Sequence, residues 1–343
     1  MNKMMTMLIA LTVVAGCVES TNQEISEEAA FLAPGFGEAA PWTHDLFDSA
    51  DDKFTFAVHS DLTGGERERI YEVAIAQLSL LRPEFIINVG DLIEGDTDKT
   101  VVDRQWDSFD ERANRAKAPV FYVPGNHDRT GELMQAIWDR RQGRGYYHFR
   151  YKDVLFLVLD TEDNTTERIR EIEALRNEAL AILAEKGREA MGETEYFRMP
   201  EGRGGNISAA QSNYMTDAIK QNDDVRWTFM FMHKAPWMRE DMTTFTDIED
   251  ALASRPYTLF HGHLHAYEYQ QRKGNDYIRL ATTGGGQFPQ NGRSMDHVTM
   301  VTVDNSGVDI ANVLLEGILD KTGQIPLNGD ELCFEAARCP ESE

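Results

Sequence analysis

From Phe54 onward, short apolar runs alternate with longer stretches of helical periodicity. Residues 54–58 are rich in β-formers and predict a buried strand. Residues 66–81 place Ile70, Val73, Ala74, Leu78 and Leu81 at the spacing of one helix face, and Pro83 stops that helix. A strand at 85–89, a helix at 106–117 and a strand at 120–123 follow. Strand, helix, strand, helix, strand predicts an α/β core with parallel pairing. Residues 146–160 predict two more strands. Residues 165–190 predict a long charged helix with Ile169, Ile172, Leu175, Ala179, Leu180 and Leu183 on one face. Ser208-Ala209-Ala210-Gln211 has the spacing of a capping box and opens another helix. Runs at 227–232, 257–260, 277–281 and 298–303 complete the strand set. The stretch at about 161–206 predicts an insertion, because one helix plus a Gly-rich loop is too short to hold its own core. The main domain is expected over 53–315, with a C-terminal extension at 316–343.

The N-terminus carries a different pattern. Lys3 precedes an apolar run at 7–14 that is too short to span a bilayer as a helix. The run ends in Val14-Ala15-Gly16-Cys17, which resembles the lipobox of bacterial lipoproteins. That resemblance implies a signal peptide at 1–16 and a diacylglycerol on Cys17. Residues 17–52, acidic with scattered Ala, Gly and Pro, are then a tether. The expected location is the cell envelope, periplasmic or outer-surface facing, with the membrane met through the lipid anchor only. Cys333 and Cys339 remain of the three cysteines. An oxidising compartment permits a disulfide between them. Six residues apart on an intact helix they would lie too far apart, so a bridge requires a turn.

Composition narrows the function. Hydrophobic residues make up 41% of the chain, enough for a real core. A formal net charge of −24 repels nucleic-acid phosphates, so nucleic-acid binding is not expected. A phosphate-bearing small substrate would be repelled as well, unless bound metal supplies local positive charge. The chain is expected to act as a monomer.

Polar residues cluster where the predicted strands end. The first strand runs into His59-Ser60-Asp61-Leu62-Thr63 and the second into Gly90-Asp91. The third ends in Gly125-Asn126-His127-Asp128. The strand from Trp227 ends at His233, and the strand from Tyr257 in His261-Gly262-His263-Leu264-His265. In α/β folds the C-terminal ends of strands converge on sites. Carboxylates, imidazoles and an amide oxygen form a mixed O/N donor set that suits Zn, Fe or Mn.

These clusters, in this order, resemble the signature of calcineurin-like metallophosphoesterases, over about residues 54–303. The resemblance implies a β-sandwich flanked by helices and two divalent or trivalent metal ions. Asp91 would bridge them, Asp61 and His265 would hold the first, and Asn126, His233 and His263 the second. Two cations about 3.5–4 Å apart can activate water and clamp phosphoryl oxygens. His127, which would protonate the leaving alkoxide or face the phosphate, and Asp128 are the expected catalytic residues. Thr63 stands where the family has a metal-binding histidine, which leaves the first metal short of a donor. Glu94, three residues after Asp91, could fill that position, orient His127, or be a solvated loop residue. His59 and His261 read as core histidines or as groups behind the ligands. Arg67, Arg129 and Lys234 lie near the motifs and are candidate substrate contacts. No Arg follows Asp91 as it does in the protein phosphatases of that family, so the resemblance does not favour a phosphoprotein substrate, and Gly284-Gly285-Gly286 is expected to form a tight loop near the site. The function expected is phosphate-ester hydrolysis. The alternatives are a mononuclear enzyme or an inactive, surface-anchored binding protein.

Overall fold

The computed structural model describes residues 50–339, so the expected signal segment, Cys17 and the expected tether up to residue 49 lie outside the described residues. Two mixed sheets form the centre. In the first, β1 (Phe54–His59), β2 (Ile86–Asn88) and β3 (Val120–Phe121) run parallel. β10 (His297–Asp304) pairs antiparallel with β1, and β11 (Gly307–Leu314) lies beyond it. In the second, β5 (Val154–Val158), β6 (Trp227–Phe231), β7 (Tyr257–His261) and β9 (Asn275–Arg279) run parallel. β4 (Tyr147–Tyr151) and β8 (Glu268–Arg272) are the antiparallel edges.

Side-chain alternation explains the layering. Phe54, Phe56 and Val58 of β1 point between the sheets, as do Val154, Phe156 and Val158 of β5 and Phe229 and Phe231 of β6. The intervening residues face outward: Ala57 into a helical layer on one side, Leu155, Leu157 and Met230 into one on the other. Buried on both faces, these strands read as unbroken apolar runs. The central layer is aromatic, with Phe56 edge-on to Phe156 at 5.4 Å and to Phe229 at 5.0 Å. Helices α1 (Ile70–Leu81), α2 (Lys99–Ala113) and α4 (Glu132–Arg141) cover the first sheet, with the one-turn α3 (Asn126–Arg129) before α4. Helices α8 (Ala209–Gln221) and α9 (Thr243–Ala251) cover the second. The fold is thus α/β, two sheets between helical layers.

The insertion forms α5 (Thr166–Gly192), α6 (Glu195–Arg198) and α7 (Pro200–Gly204). Thr165 caps α5, and Gly187, at φ 84°, breaks it. Its buried face is Ile169, Ile172, Arg176 and Ala179. The residues after β11 belong to the same body: Leu315, Ile318, Ile325 and Phe334 join the core beneath α1. A disulfide joins Cys333 and Cys339 around the turn at Ala336–Arg338, with Cα atoms 5.8 Å apart.

Candidate metal centre

Parallel strands bring their C-terminal ends together, and each expected ligand lies just past one. Two overlapping groups of donors result: Asp61, Asp91 and His265, and Asp91, His233 and His263. Within each group the ligand atoms lie within 4.8 Å of one another. Asp91 belongs to both. Its Oδ2 is 3.1 Å from His233 Nε2, and Asn126 Oδ1 is 3.2 Å from the same nitrogen. Asp61 Oδ1 lies 3.3 Å from His265 Nε2.

Whether this pocket suits metal is decided by the far side of each imidazole. His233 Nδ1 lies 2.8 Å from the Val89 carbonyl, and His265 Nδ1 lies 2.5 Å from that of Gly286. His263 Nε2 lies 2.7 Å from the Gly202 carbonyl. A carbonyl only accepts, so each of these nitrogens carries the proton. The other nitrogen then faces the centre and, once it carries no proton, offers its lone pair there, the arrangement that metal-binding histidines use. Electrostatics agree. Burial opposes ionisation of Asp91, but His233, His127 and His263 outweigh it and hold the carboxyl well below its usual range. Burial opposes charge on His233, but the Asp91 carboxylate lifts the imidazole to about 9. Burial, His233 and Lys234 keep His263 well below 6.5. A cation would take over the role that the His233 proton plays against Asp91.

Glycines make room for this crowding. Gly90 has φ +100°, and a Cβ there would lie 2.7 Å from His233 Nδ1. At Gly125 a Cβ would collide with the Asp91 carboxylate. Of the Gly284–Gly286 loop, Gly285 N donates to the Asp61 carbonyl at 2.9 Å and Gly286 holds His265.

The remaining sequence candidates separate by where their polar atoms go. His127 Nδ1 donates to the Glu94 carbonyl at 2.9 Å, and its backbone N–H donates to Asp91 Oδ1 at 2.9 Å. Its Nε2 lies on the His265 side, since a Cβ on Gly64 would stand 3.7 Å from it and 3.2 Å from His265 Nε2. Asp128, expected as catalytic, is fully buried. Its carboxylate accepts the backbone N–H groups of Asp91, Leu92, Ile93 and Gly125 at 2.8–3.1 Å. It braces the Asp91 loop, with both carboxylate oxygens spent on backbone N–H groups.

Thr63 is 1% exposed, and its hydroxyl lies 3.1 Å from the Asp91 carbonyl and 2.9 Å from that of Ile93. It too holds the Asp91 loop, with its oxygen turned to backbone rather than to the donors. The Glu94 carboxylate accepts N–H bonds from Gly64, Gly65 and Glu66 at 3.2, 2.9 and 2.8 Å, and its Oε2 is 3.6 Å from His127 Nδ1. It lies beside His127, outside both donor groups. His59 packs on Tyr71, with neither ring nitrogen hydrogen-bonded among the described residues. Burial lowers it to about 4. His261 is likewise unbonded, and packs against Trp237.

Three expected substrate contacts are already paired inside the protein. Arg67 binds Asp296 at 2.6 Å, Arg129 binds Asp139 at 2.8 Å and Asp160 at 3.1 Å, and Lys234 binds Glu162 at 2.7 Å. What the sequence reading missed is the share of the insertion in the site. Gly202 supplies the carbonyl that orients His263, and Arg176 reaches the Glu94 carbonyl at 3.3 Å. A signal for the second was present: Arg176 interrupts the apolar face that Ile172 and Ala179 share.

A sequence model described as calcineurin-like phosphoesterase matches residues 54–277. No curated protein matches the chain in sequence. A dimetal phosphatase from Danio rerio is similar in structure at TM-score 0.50 and 16% identity, over 76% of this chain and 98% of its own. A purple acid phosphatase from yellow lupin (Lupinus luteus) seeds is similar at TM-score 0.50 and 13% identity, over 85% of this chain. The match spans 57% of the lupin protein's length.

Proposed function

Because the chain belongs to the calcineurin-like phosphoesterase family, we propose that it hydrolyses phosphate esters at a dinuclear metal site in the cell envelope. The observation that carries this reading is the pair of donor groups sharing Asp91. Asp61 and His265 would hold one ion, and Asn126, His233 and His263 the other, with Asp91 between them. Iron, manganese or zinc suits this mixed O/N set. Bound there, two cations supply charge for the phosphoryl oxygens and activate water near neutral pH.

The protein's own groups do the rest. Backbone carbonyls behind the three imidazoles fix their tautomers before any ion arrives. Asp128 and Thr63 hold the Asp91 loop in a shape that its φ of 58° makes costly. With Nδ1 of His127 committed to the Glu94 carbonyl, any proton given to a leaving alkoxide comes from Nε2. The envelope location is supported by the lipobox-like Val14–Cys17 run and by the Cys333–Cys339 disulfide, which suits an oxidising compartment.

The test is metal content per chain, measured together with turnover of p-nitrophenyl phosphate and bis-p-nitrophenyl phosphate after loading with iron, manganese or zinc. Two ions per chain and turnover of at least one ester are expected. Asp91→Asn removes the shared anionic ligand. It should lose most of the metal and about three orders of magnitude of turnover, since such ions contribute several kcal/mol to the transition state. Metal content and turnover at the wild-type level in Asp91→Asn would overturn the assignment.

A further inference from the structure

The phosphoryl group of the substrate needs a partner besides the metals, and the motif-adjacent cations are unavailable. Arg67, Arg129 and Lys234 are each bonded to a carboxylate of the protein. The insertion supplies a different cation. Arg176 is 8% exposed, and among the described residues its one side-chain hydrogen bond is to the Glu94 carbonyl at 3.3 Å. It has no ion-pair partner among the described residues. A buried guanidinium without a counter-charge costs several kcal/mol. Packing gives no reason for it either, because Ile172 and Ala179 already fill the same helix face.

Its position explains it. The Glu94 carbonyl also holds His127 Nδ1 at 2.9 Å, so the guanidinium and the His127 ring share one backbone oxygen. Arg176 therefore stands beside the residue proposed to serve the leaving group. The insertion is anchored at this place from both sides. Arg168 of α5 clamps Glu201 of α7 at 3.0 and 2.8 Å, and the Gly202 carbonyl meets His263. Arg170 bonds Glu132 of α4 at 2.7 and 2.9 Å. The helix that carries Arg176 is thus fixed with respect to the donors.

We propose that Arg176 binds a non-bridging oxygen of the substrate's phosphoryl group, so that the insertion completes the active site. This rests on the phosphoesterase reading. A phosphoryl group is the natural counter-charge: its oxygens accept paired N–H bonds from a planar guanidinium, and an ammonium does not reproduce that fork.

Orthophosphate is the probe, titrated calorimetrically into the metal-loaded full chain. Arg176→Gln should keep both metals and weaken phosphate binding by tenfold or more. Its KM for p-nitrophenyl phosphate should rise by a similar factor. Arg176→Lys should recover only part of the loss. Arg176→Ala should regain phosphate affinity when millimolar guanidinium is added, a rescue that a helix brace would not show. Phosphate affinity at the wild-type level in Arg176→Gln or in Arg176→Lys, with both metals bound, would reduce Arg176 to such a brace. Wild-type protein that turns over no ester but loses phosphate affinity in Arg176→Gln would sink the phosphoesterase reading and leave the Arg176 site standing. Absence of phosphate binding in the metal-loaded wild type would overturn the site.

Discussion

Asp61, Asp91, His263 and His265 all hold positive φ, at 41°, 58°, 77° and 53°. Such backbone costs on the order of 1–3 kcal/mol at each non-glycine residue and persists only where its surroundings enforce it. Here the enforcement is visible in the bonds that Asp128 and Thr63 make to the Asp91 loop and in the His263 N–H, 3.0 Å from Asp61 Oδ1. Glu94 belongs to the same support. Its carboxylate collects three N–H groups, so Glu94→Gln should leave two metals bound while costing about 1 kcal/mol of stability, from weakened charge-assisted bonds. Metal analysis and denaturant unfolding check this, and loss of one ion would return Glu94 to the role of ligand. That Asp61, Asp91, Asn126, His233, His263 and His265 would come together was legible in the sequence because each follows a recognisable apolar run, and strand ends converge. The direction of Glu94 was not legible. Its offset from Asp91 places it near the site, but only the path of residues 64–66 shows which way the carboxylate turns. The backbone partners of Asp128 were illegible for a similar reason: a carboxylate in a motif does not reveal in sequence which N–H groups it meets.

Elements were legible where packing and local pattern agree. Helix α1 begins at Ile70 rather than at 66, because Arg69 holds φ 69° and the N–H groups of residues 64–66 are spent on Glu94. Helix α2 begins seven residues earlier than the apolar pattern suggests, since Asp98 caps it by accepting the Thr100 N–H at 2.7 Å. Ser208 caps α8 as expected, but Gln211 turns away to Asp160, so the reciprocal half of the capping box is not made. The edge strands β8 and β11 escaped notice because their exposed faces carry polar residues such as Glu268 and Asp309. The disulfide turn bears on the site. Cys333 accepts a bond from Arg67 through its carbonyl, and Phe334 binds Asp296 N and the Gln287 amide, next to the Gly286 that holds His265. Replacing Cys333 and Cys339 with serine should cost about 2 kcal/mol, the loop-closure value for so short a ring. Unfolding of wild type with and without reductant should give the same difference. Equal stability in all three cases would show that the noncovalent contacts suffice.

At the scale of the molecule, the two sheets are joined by apolar packing and by a few polar links that must stay neutral. His297, the first residue of β10, is 2% exposed. Its Nε2 accepts the Ala281 N–H at 3.0 Å, which ties the first sheet to the chain leaving β9 in the second. A nitrogen that accepts cannot carry a proton, so charging this imidazole breaks the link. Burial, and then Arg293, lowers it from 6.5 to about 4. The unfolded chain therefore takes up the proton first as pH falls. The stabilisation is full above pH 6.5, declines below it, and is gone once the pH has passed down through about 4. The loss by pH ~4.5 is about 2–3 kcal/mol from this group. His233 works in the opposite sense in metal-free protein, because its raised value of about 9 favours the folded state at low pH. That contribution is common to wild type and His297→Gln, so it cancels in a comparison of the two. His297→Gln keeps an acceptor for Ala281 N but cannot titrate. Wild type should lose about 2–3 kcal/mol more than His297→Gln between pH 7 and pH ~4.5 in denaturant unfolding. Parallel stability curves for the two proteins over that range would mean that the link between the sheets does not depend on a neutral His297.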